Sequence, residues 1–442
     1  MPLISLIQEV EKHPPVITQD TIVFGLLMLC LAVVFYLSSK KTGFWALFFK
    51  YVPALLMCYL LPSILSSLGL ISGMEWEVLV DGEIQQRESS LYFMASRYLL
   101  PAALVLMTLS IDLKAVFNLG PKALIMFLTG TAGIILGGPL AVLIIGTIWP
   151  ETVGGEGADA VWRGLSTLAG SWIGGGANQA AMLEVYEFNE AKYGGMVLVD
   201  IVVANLWMAV ILFGIAYSER LDEWFGADAS SIEHLKKKVS DYSASVKREA
   251  SLTDYMVMLG IAFATVSLAH FAANYLSEWV ESMKTISSNI YLSFLGSQFF
   301  WLISIATIIG ILLSYTPLKR YEGTGASRLG SIFIYILVAT IGMKMDLTQI
   351  FQNPLLIVVG LVWMSIHAGL LILTAKIIKA PYFFLAVGSQ ANVGGAASAP
   401  VVAAEFHPAL ATVGVLLAVF GYVVGTVGAI ACTILMQMAA VS

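Results

Sequence analysis

Two stretches of this chain mix residue types that a straight lipid-facing helix has little use for. They are Gly170-Ser171-Trp172-Ile173-Gly174-Gly175-Gly176-Ala177-Asn178-Gln179 and Gly388-Ser389-Gln390-Ala391-Asn392-Val393-Gly394-Gly395-Ala396-Ala397-Ser398-Ala399-Pro400. Each sets hydrogen-bonding side chains and clustered glycines inside an uncharged run. Backbone at membrane depth must satisfy its own N–H and C=O groups, so this mixture calls for a helix that breaks midway, or dips in and returns. At such a break the leading amides of one half-helix and the trailing carbonyls of the other are left free. The first form a positive pole and the second a negative one. Anions suit the former and sodium ions the latter. Ser171, Gly174, Gly175, Gly176, Asn178 and Gln179 in one stretch, with Ser389, Gln390, Asn392, Gly394, Gly395 and Ser398 in the other, form the candidate substrate-binding set. Small residues and amides also glue membrane helices together. Two such segments in matching places favour a site over glue.

Asp200, in Leu198-Val199-Asp200-Ile201-Val202, is the only carboxylate well inside an apolar span. An intramembrane acid is costly, so function is the first reading and a satisfied interhelical bond the second. Asp200, with Asn205 about a turn and a half further on and Asn178 and Asn392 from the broken stretches, forms the candidate coupling-ion set. Asp112 and Asp346 stand at span ends and read as helix caps. His270 and His367 are isolated in apolar spans and read as hydrogen-bonding core residues. Arg163, Glu184 and Glu405 lie at the ends of the broken segments, where Arg163 reads as snorkelling to the headgroups. Cys30, Cys58 and Cys432 all fall in apolar spans, which indicates neither disulfides nor a thiolate metal site. No nucleophile–base pair is evident, so an enzyme is not expected, and no cofactor beyond a coupling sodium ion.

The elements that must position these residues are helices in a bilayer. Of 442 residues 58% are hydrophobic and only 12% charged, about half the charged share of an ordinary soluble domain. The fold class is therefore an all-α polytopic membrane protein, multi-pass in the cell (inner) membrane, with the lipid bilayer as its first partner. Nucleic acid is not a partner, since no basic stripe with interleaved aromatics occurs. The N-terminus lacks a basic n-region and cleavage site, so the first apolar run reads as a retained span. Long apolar runs fall at Ile22–Leu37, Tyr51–Ile71, Ala123–Trp149, Tyr193–Tyr217, Tyr255–Ser277, Asn289–Leu318, Pro354–Ala375 and Phe406–Ser442. Short ones fall at Tyr98–Ile111 and Leu329–Met343, and broken segments at about Gly164–Leu183 and Ala380–Ala404. Alternation around Asp81-Gly82 predicts a small extramembrane hairpin. The polar stretch 219–251 reads as a cytoplasmic linker with an amphipathic helix, between repeats at 1–218 and 252–442.

Basic loops follow the first, third, eighth and tenth segments, while loops near Glu77–Glu88, Glu151–Asp159 and Glu278–Glu281 are acidic. All basic loops lie inside only if each Gly-broken segment returns to the side it entered from. Each half then has about five transmembrane helices plus one Gly-broken or re-entrant element, and the odd count inverts the second half. The sequence repeats to match: Asp112-Leu113-Lys114-Ala115-Val116-Phe117-Asn118 answers Asp346-Leu347-Thr348-Gln349-Ile350-Phe351-Gln352.

On these two Gly-Ser motifs and their repeat, the chain resembles the YjcL-like family of uncharacterised membrane proteins, a domain-of-unknown-function family, over nearly its whole length. That family looks related to the bile-acid, glutamate and citrate sodium symporters and to cation/proton antiporters. The resemblance implies a scaffold domain and a mobile core whose two inverted broken or re-entrant elements meet at the substrate site. The expected function is secondary active transport, sodium-coupled symport of a small anionic or zwitterionic solute (organic acid, amino acid or short peptide) by alternating access. A cation/proton antiporter and an ion-conducting membrane subunit of an enzyme complex are the alternatives. A homodimer is open as an assembly, with no residue naming its interface.

Overall fold

The computed structural model describes residues 15–52, 54–73, 76–80, 83–109, 113–227, 232, 249–283, 292–345, 353–407 and 410–441. Asp112, Asp346, the Asp81-Gly82 turn and nearly all of the amphipathic stretch 230–248 lie outside them.

The chain is a multi-pass membrane protein and almost entirely helical. Among the described residues, eight helices are long and apolar enough to cross a bilayer: α1 (Asp20–Ser38), α4 (Leu91–Leu109), α5 (Pro121–Ile148), α8 (Tyr193–Ile215), α10 (Leu252–Ser282), α12 (Ala326–Lys344), α13 (Leu356–Ile378) and α16 (Ala411–Val441). Between them lie α2 (Gly43–Tyr51), α3 (Ala54–Ser67), α6 (Val161–Gly174), α7 (Gly176–Val185), α9 (Ser218–Phe225), α11 (Gln298–Ser314), α14 (Tyr382–Val393) and α15 (Gly395–Phe406). Two pairs bend sharply, α2 with α3 by 99° and α11 with the 3₁₀ turn Pro317–Thr324 by 98°. Pro317 lacks the N–H that would prolong α11, which stops at Ser314.

Both short apolar runs belong to 19-residue helices, α4 and α12. Hydropathy stops short in α4 because Arg97 interrupts it, inside a π-helical turn Ala95–Leu99. The helix continues because Arg97 is paired, Nη1 donating to Glu184 Oε2 at 2.6 Å. A capping box opens α10, with Ser251 Oγ accepting from Asp254 N and Asp254 Oδ2 accepting from Ser251 N.

Two compact units are present. One comprises Met1–Ser96 with Tyr335–Gln349. Here a parallel bridge joins Ile17 to Ile71 and Ser63 Oγ donates to Met345 O at 3.0 Å. The β-hairpin pairs β1 (Trp76–Val80) with β2 (Glu83–Arg87) in register, Trp76 against Arg87 and Val80 against Glu83. The other unit comprises Arg97–Ile334 with Ile350–Ser442 and holds every residue of the candidate site. At its centre α5 and α13 cross in opposite senses. A Cβ on Gly133 would meet His367 Cα at 3.0 Å, one on Gly137 would meet Trp363 Cδ1 at 2.5 Å, and Trp363 Nε1 donates to Ile134 O at 2.8 Å.

Both glycine-broken segments are helical hairpins. Gly175 has φ 78° and ψ −172°, and Gly395 has φ 56°, backbone that side-chain-bearing residues avoid. The arms have 14, 10, 12 and 12 residues, so the longest rises about 21 Å, short of a ~30 Å hydrocarbon core. Residues eight apart in an unbroken helix stand about 12 Å apart. Here a Cβ on Gly170 would lie 2.5 Å from Asn178 O, and Ser398 Oγ donates to Gln390 Oε1 at 2.7 Å. In each segment the second arm turns back along the first.

Gly170→Ala should therefore push the arms of α6/α7 apart and destabilise the protein by about 1–3 kcal/mol. Gly260→Ala, in α10 where an added Cβ meets nothing within 4 Å, should be neutral or stabilising by up to about 1 kcal/mol. Thermal unfolding of the two variants in detergent checks the contrast.

Candidate functional site

The two hairpins touch at their glycines: a Cβ on Gly395 would lie 3.8 Å from Gly175 Cα. What holds them there is a set of buried polar bonds, many converging on α8.

Asp200 of α8 is 8% exposed, and its carboxylate accepts three hydrogen bonds. Ser171 Oγ donates to Oδ2 at 2.8 Å, Gln179 Nε2 to Oδ2 at 3.1 Å and Trp172 Nε1 to Oδ1 at 2.6 Å. All three donors come from hairpin α6/α7. They replace the hydration that a buried carboxylate loses, and they tie both arms of that hairpin to one point. Seven residues on, on the same face of α8, Trp207 Nε1 donates to Ser389 Oγ of hairpin α14/α15 at 2.7 Å. Ser389 also meets His367 Nε2 at 2.8 Å, and His367 Nδ1 lies 2.9 Å from Gly130 O. A carbonyl only accepts, so Nδ1 carries the proton and Nε2 accepts from the serine hydroxyl. Asn392 finishes the attachment: its Nδ2 donates to Phe127 O and Gly388 O, both at 2.9 Å, and its Oδ1 accepts from Thr131 Oγ1 at 2.7 Å.

Where the tips meet, the bonding is incomplete. Asn178 is fully buried, its Oδ1 at 3.5 Å from Thr426 Oγ1 and its Nδ2 without a partner. A Cβ on either Gly174 or Gly425 would lie 1.7 Å from that Nδ2, so only glycine at both positions leaves room for the carboxamide. In the other tip Gln390 is 1% exposed, and its Oε1 accepts from Ser398 while its Nε2 is likewise unpartnered. Each hairpin thus brings one buried NH₂ donor that has nothing to donate to among the described residues. Beside them stand the leading amides of α7 and α15; of those in α7, the Asn178 and Gln179 N–H groups bond Gly175 O.

The structure brings Gly174, Gly175, Gly176, Asn178, Gln390, Gly394, Gly395 and Ser398 to the meeting of the tips. Ser171 and Gln179 are turned to Asp200, Ser389 to His367, and Asn392 to α5. Asn205 is not brought there: it is exposed, and its Nδ2 donates to Ile201 O of its own helix at 2.7 Å. Five residues rotate a helix by roughly 140° past a full turn, so Asp200 and Asn205 face different ways. Trp207, Thr131 and the glycines of α16 were not singled out from sequence. The seven-residue step from Asp200 to Trp207 was the available signal.

The open ends of the hairpins are pinned as well. At the first, Arg163 Nη1 donates to Tyr186 O rather than reaching for headgroups, and His270 Nε2 bonds Arg97 O at 3.0 Å. Lys192 Nζ and Asn189 Nδ2, each donating to Asp159 at 2.8 Å, hold that carboxyl below its usual range. At the second, Tyr382 N donates to Asp222 Oδ1 at 2.6 Å. Burial pushes the Asp222 carboxyl up and this bond opposes it. Among the described residues no group of three His, Cys, Asp or Glu side chains is placed to hold a metal ion.

The chain belongs to the family described as protein of unknown function (DUF819), which it matches over residues 25–439. It is similar to the uncharacterized membrane protein YjcL of Bacillus subtilis (strain 168), with 26% identity over 350 residues, 76% of this chain and 82% of that protein. The family match takes in both hairpins, α8, α13 and nearly all of α16.

Asp200→Asn should leave at least one buried donor facing a donor, at a cost of about 1–3 kcal/mol. Asn205→Ala should change stability by less than about 0.5 kcal/mol. Unfolding midpoints measured side by side in one detergent check this ordering.

Proposed function

We propose that this DUF819 protein is a secondary active transporter that carries a small anionic or zwitterionic solute by alternating access, coupled to sodium. The observation that carries the reading is the pair of buried, unpartnered NH₂ groups of Asn178 and Gln390 where two glycine tips meet. A buried donor left unmade costs about 1–3 kcal/mol, so each favours an acceptor arriving from outside the chain. Two amides and the positive poles of α7 and α15 together suit a carboxylate. Organic acids, amino acids and short peptides carry one. The antiparallel crossing of α5 and α13, the long helices in corresponding places of the two repeats, supports the inverted arrangement that alternating access uses.

Cation/proton antiport is the second reading, favoured by a specific pairing. Asp200 and His367, both titratable, each bond the serine that follows the first glycine of a hairpin motif, Ser171 and Ser389. On that reading protons exchange at these two positions as the hairpins move. Sodium efflux driven by a pH gradient in proteoliposomes, with no organic solute present, would favour it.

A stabilisation screen of carboxylates, amines and sugars, with and without sodium, tests the leading reading. Carboxylate-bearing solutes should raise the unfolding midpoint, more so with sodium. Asn178→Leu and Gln390→Leu should each weaken binding of the responding solute about 10–100-fold, since each deletes one buried donor. Unchanged affinity in both variants, or a response confined to amines, would remove the site.

A further inference from the structure

The leading amides account for one pole of each tip; the trailing carbonyls form the other. Ile173 is the penultimate residue of α6 and Ala391 the third from last in α14, so both carbonyls fall among the four that a helix end leaves without an intrahelical donor. Across the breaks no donor replaces it. Gly175 N goes back to Ser171 O, Asn178 N and Gln179 N go to Gly175 O, and Gly394 N goes to Gln390 O. Among the described residues no backbone N–H reaches Ile173 O or Ala391 O.

These two oxygens come from different hairpins and both lie beside Gly421 of α16, which is buried. The position a Cβ on Gly421 would occupy is 2.9 Å from Ile173 O and 3.5 Å from Ala391 O. Both helix ends bring their negative poles here, and two carbonyl oxygens held close together repel unless something positive lies between them.

We infer that a sodium-sized monovalent cation binds against Gly421, held by the main-chain carbonyl oxygens of Ile173 and Ala391. Asp200 is then the fastening of hairpin α6/α7 and not an ion ligand, because its two oxygens already accept three hydrogen bonds from that hairpin. Neutral oxygens suit a weakly charged ion that must leave again, whereas divalent cations favour carboxylates. The ion would bridge the hairpins and so favour the state in which their tips touch. Its role in coupling rests on the transporter reading, but its binding does not.

The test uses the full-length protein in detergent with no organic solute. Unfolding midpoints are followed as sodium chloride replaces choline chloride at constant ionic strength. Sodium should raise the midpoint saturably, with a half-saturating concentration that is the same from about pH 6 to pH 8.5, because carbonyls do not titrate and a carboxylate ligand would bring proton competition. Asp200→Asn should start from a lower midpoint yet keep the sodium shift. Gly421→Ala, whose methyl would stand 2.9 Å from Ile173 O, should raise the half-saturating concentration at least tenfold. Should that variant fail to fold, the pH series and Asp200→Asn still decide. No saturable shift in the wild type, or a shift that fades with falling pH and vanishes in Asp200→Asn, would overturn the inference. Solute-dependent stabilisation that persists without any sodium shift would leave the transporter reading standing and remove this cation site alone.

Discussion

One face of one helix holds both hairpins. Asp200 and Trp207 lie seven residues apart on α8, the first fastening α6/α7 through three donors and the second reaching α14/α15 through Ser389. A buried carboxylate survives in an apolar span only when its lost hydration is replaced, so Asp200 and its three donors stand or fall together. The consequence is geometric. The arms of the hairpins are buried along most of their length, and these bonds give that apolar packing a directional register. With them, Gly175 and Gly395 come into contact.

The arrangement divides labour between the polar residues. Those that fasten are fully bonded: Asn392 makes three hydrogen bonds, Ser389 two and Asp200 three. Those that remain at the tips are under-bonded: the NH₂ groups of Asn178 and Gln390 and the carbonyls of Ile173 and Ala391. Buried side-chain atoms without a partner among the described residues also occur elsewhere, at Ser72 Oγ, Arg163 Nε, Glu184 Oε1 and Thr307 Oγ1; the tips differ in that both touching hairpins carry an amide donor of this kind. Donors and acceptors are in deficit on opposite poles of the same two breaks, the pattern expected of a site taking an anion and a cation together.

How much of this could be read from the chain follows from which forces are local. The breaks were legible because glycines at 174–176 and 394–395 inside uncharged runs have no use in a straight span. The fold-back followed from loop charge, and α6/α7 and α14/α15 show it. The start of α4 was misjudged because hydropathy counts Arg97 as a polar interruption, while the structure neutralises it with Glu184. Partners were harder still. Asn205 is near Asp200 in sequence and on a different face in space, since the helical period separates residues five apart. Ser389 and Asn392 look like ligand groups by type, yet distant partners, His367 and the Phe127 and Thr131 pair, claim their hydrogen bonds. Trp207 was not legible as a donor, because nothing local tells a tryptophan that packs from one that also donates.

The claim on which the account turns is that the two tips form one ligand-gated contact. Its most direct measurement is oxidative cross-linking between cysteines placed at Gly176 and Ala396, beside the touching glycines, in a background with Cys30, Cys58 and Cys432 replaced. An intramolecular disulfide should form within one chain, and a carboxylate solute that stabilises the protein with sodium should slow its formation. Failure of the two positions to cross-link, or a rate indifferent to any such solute, would contradict it.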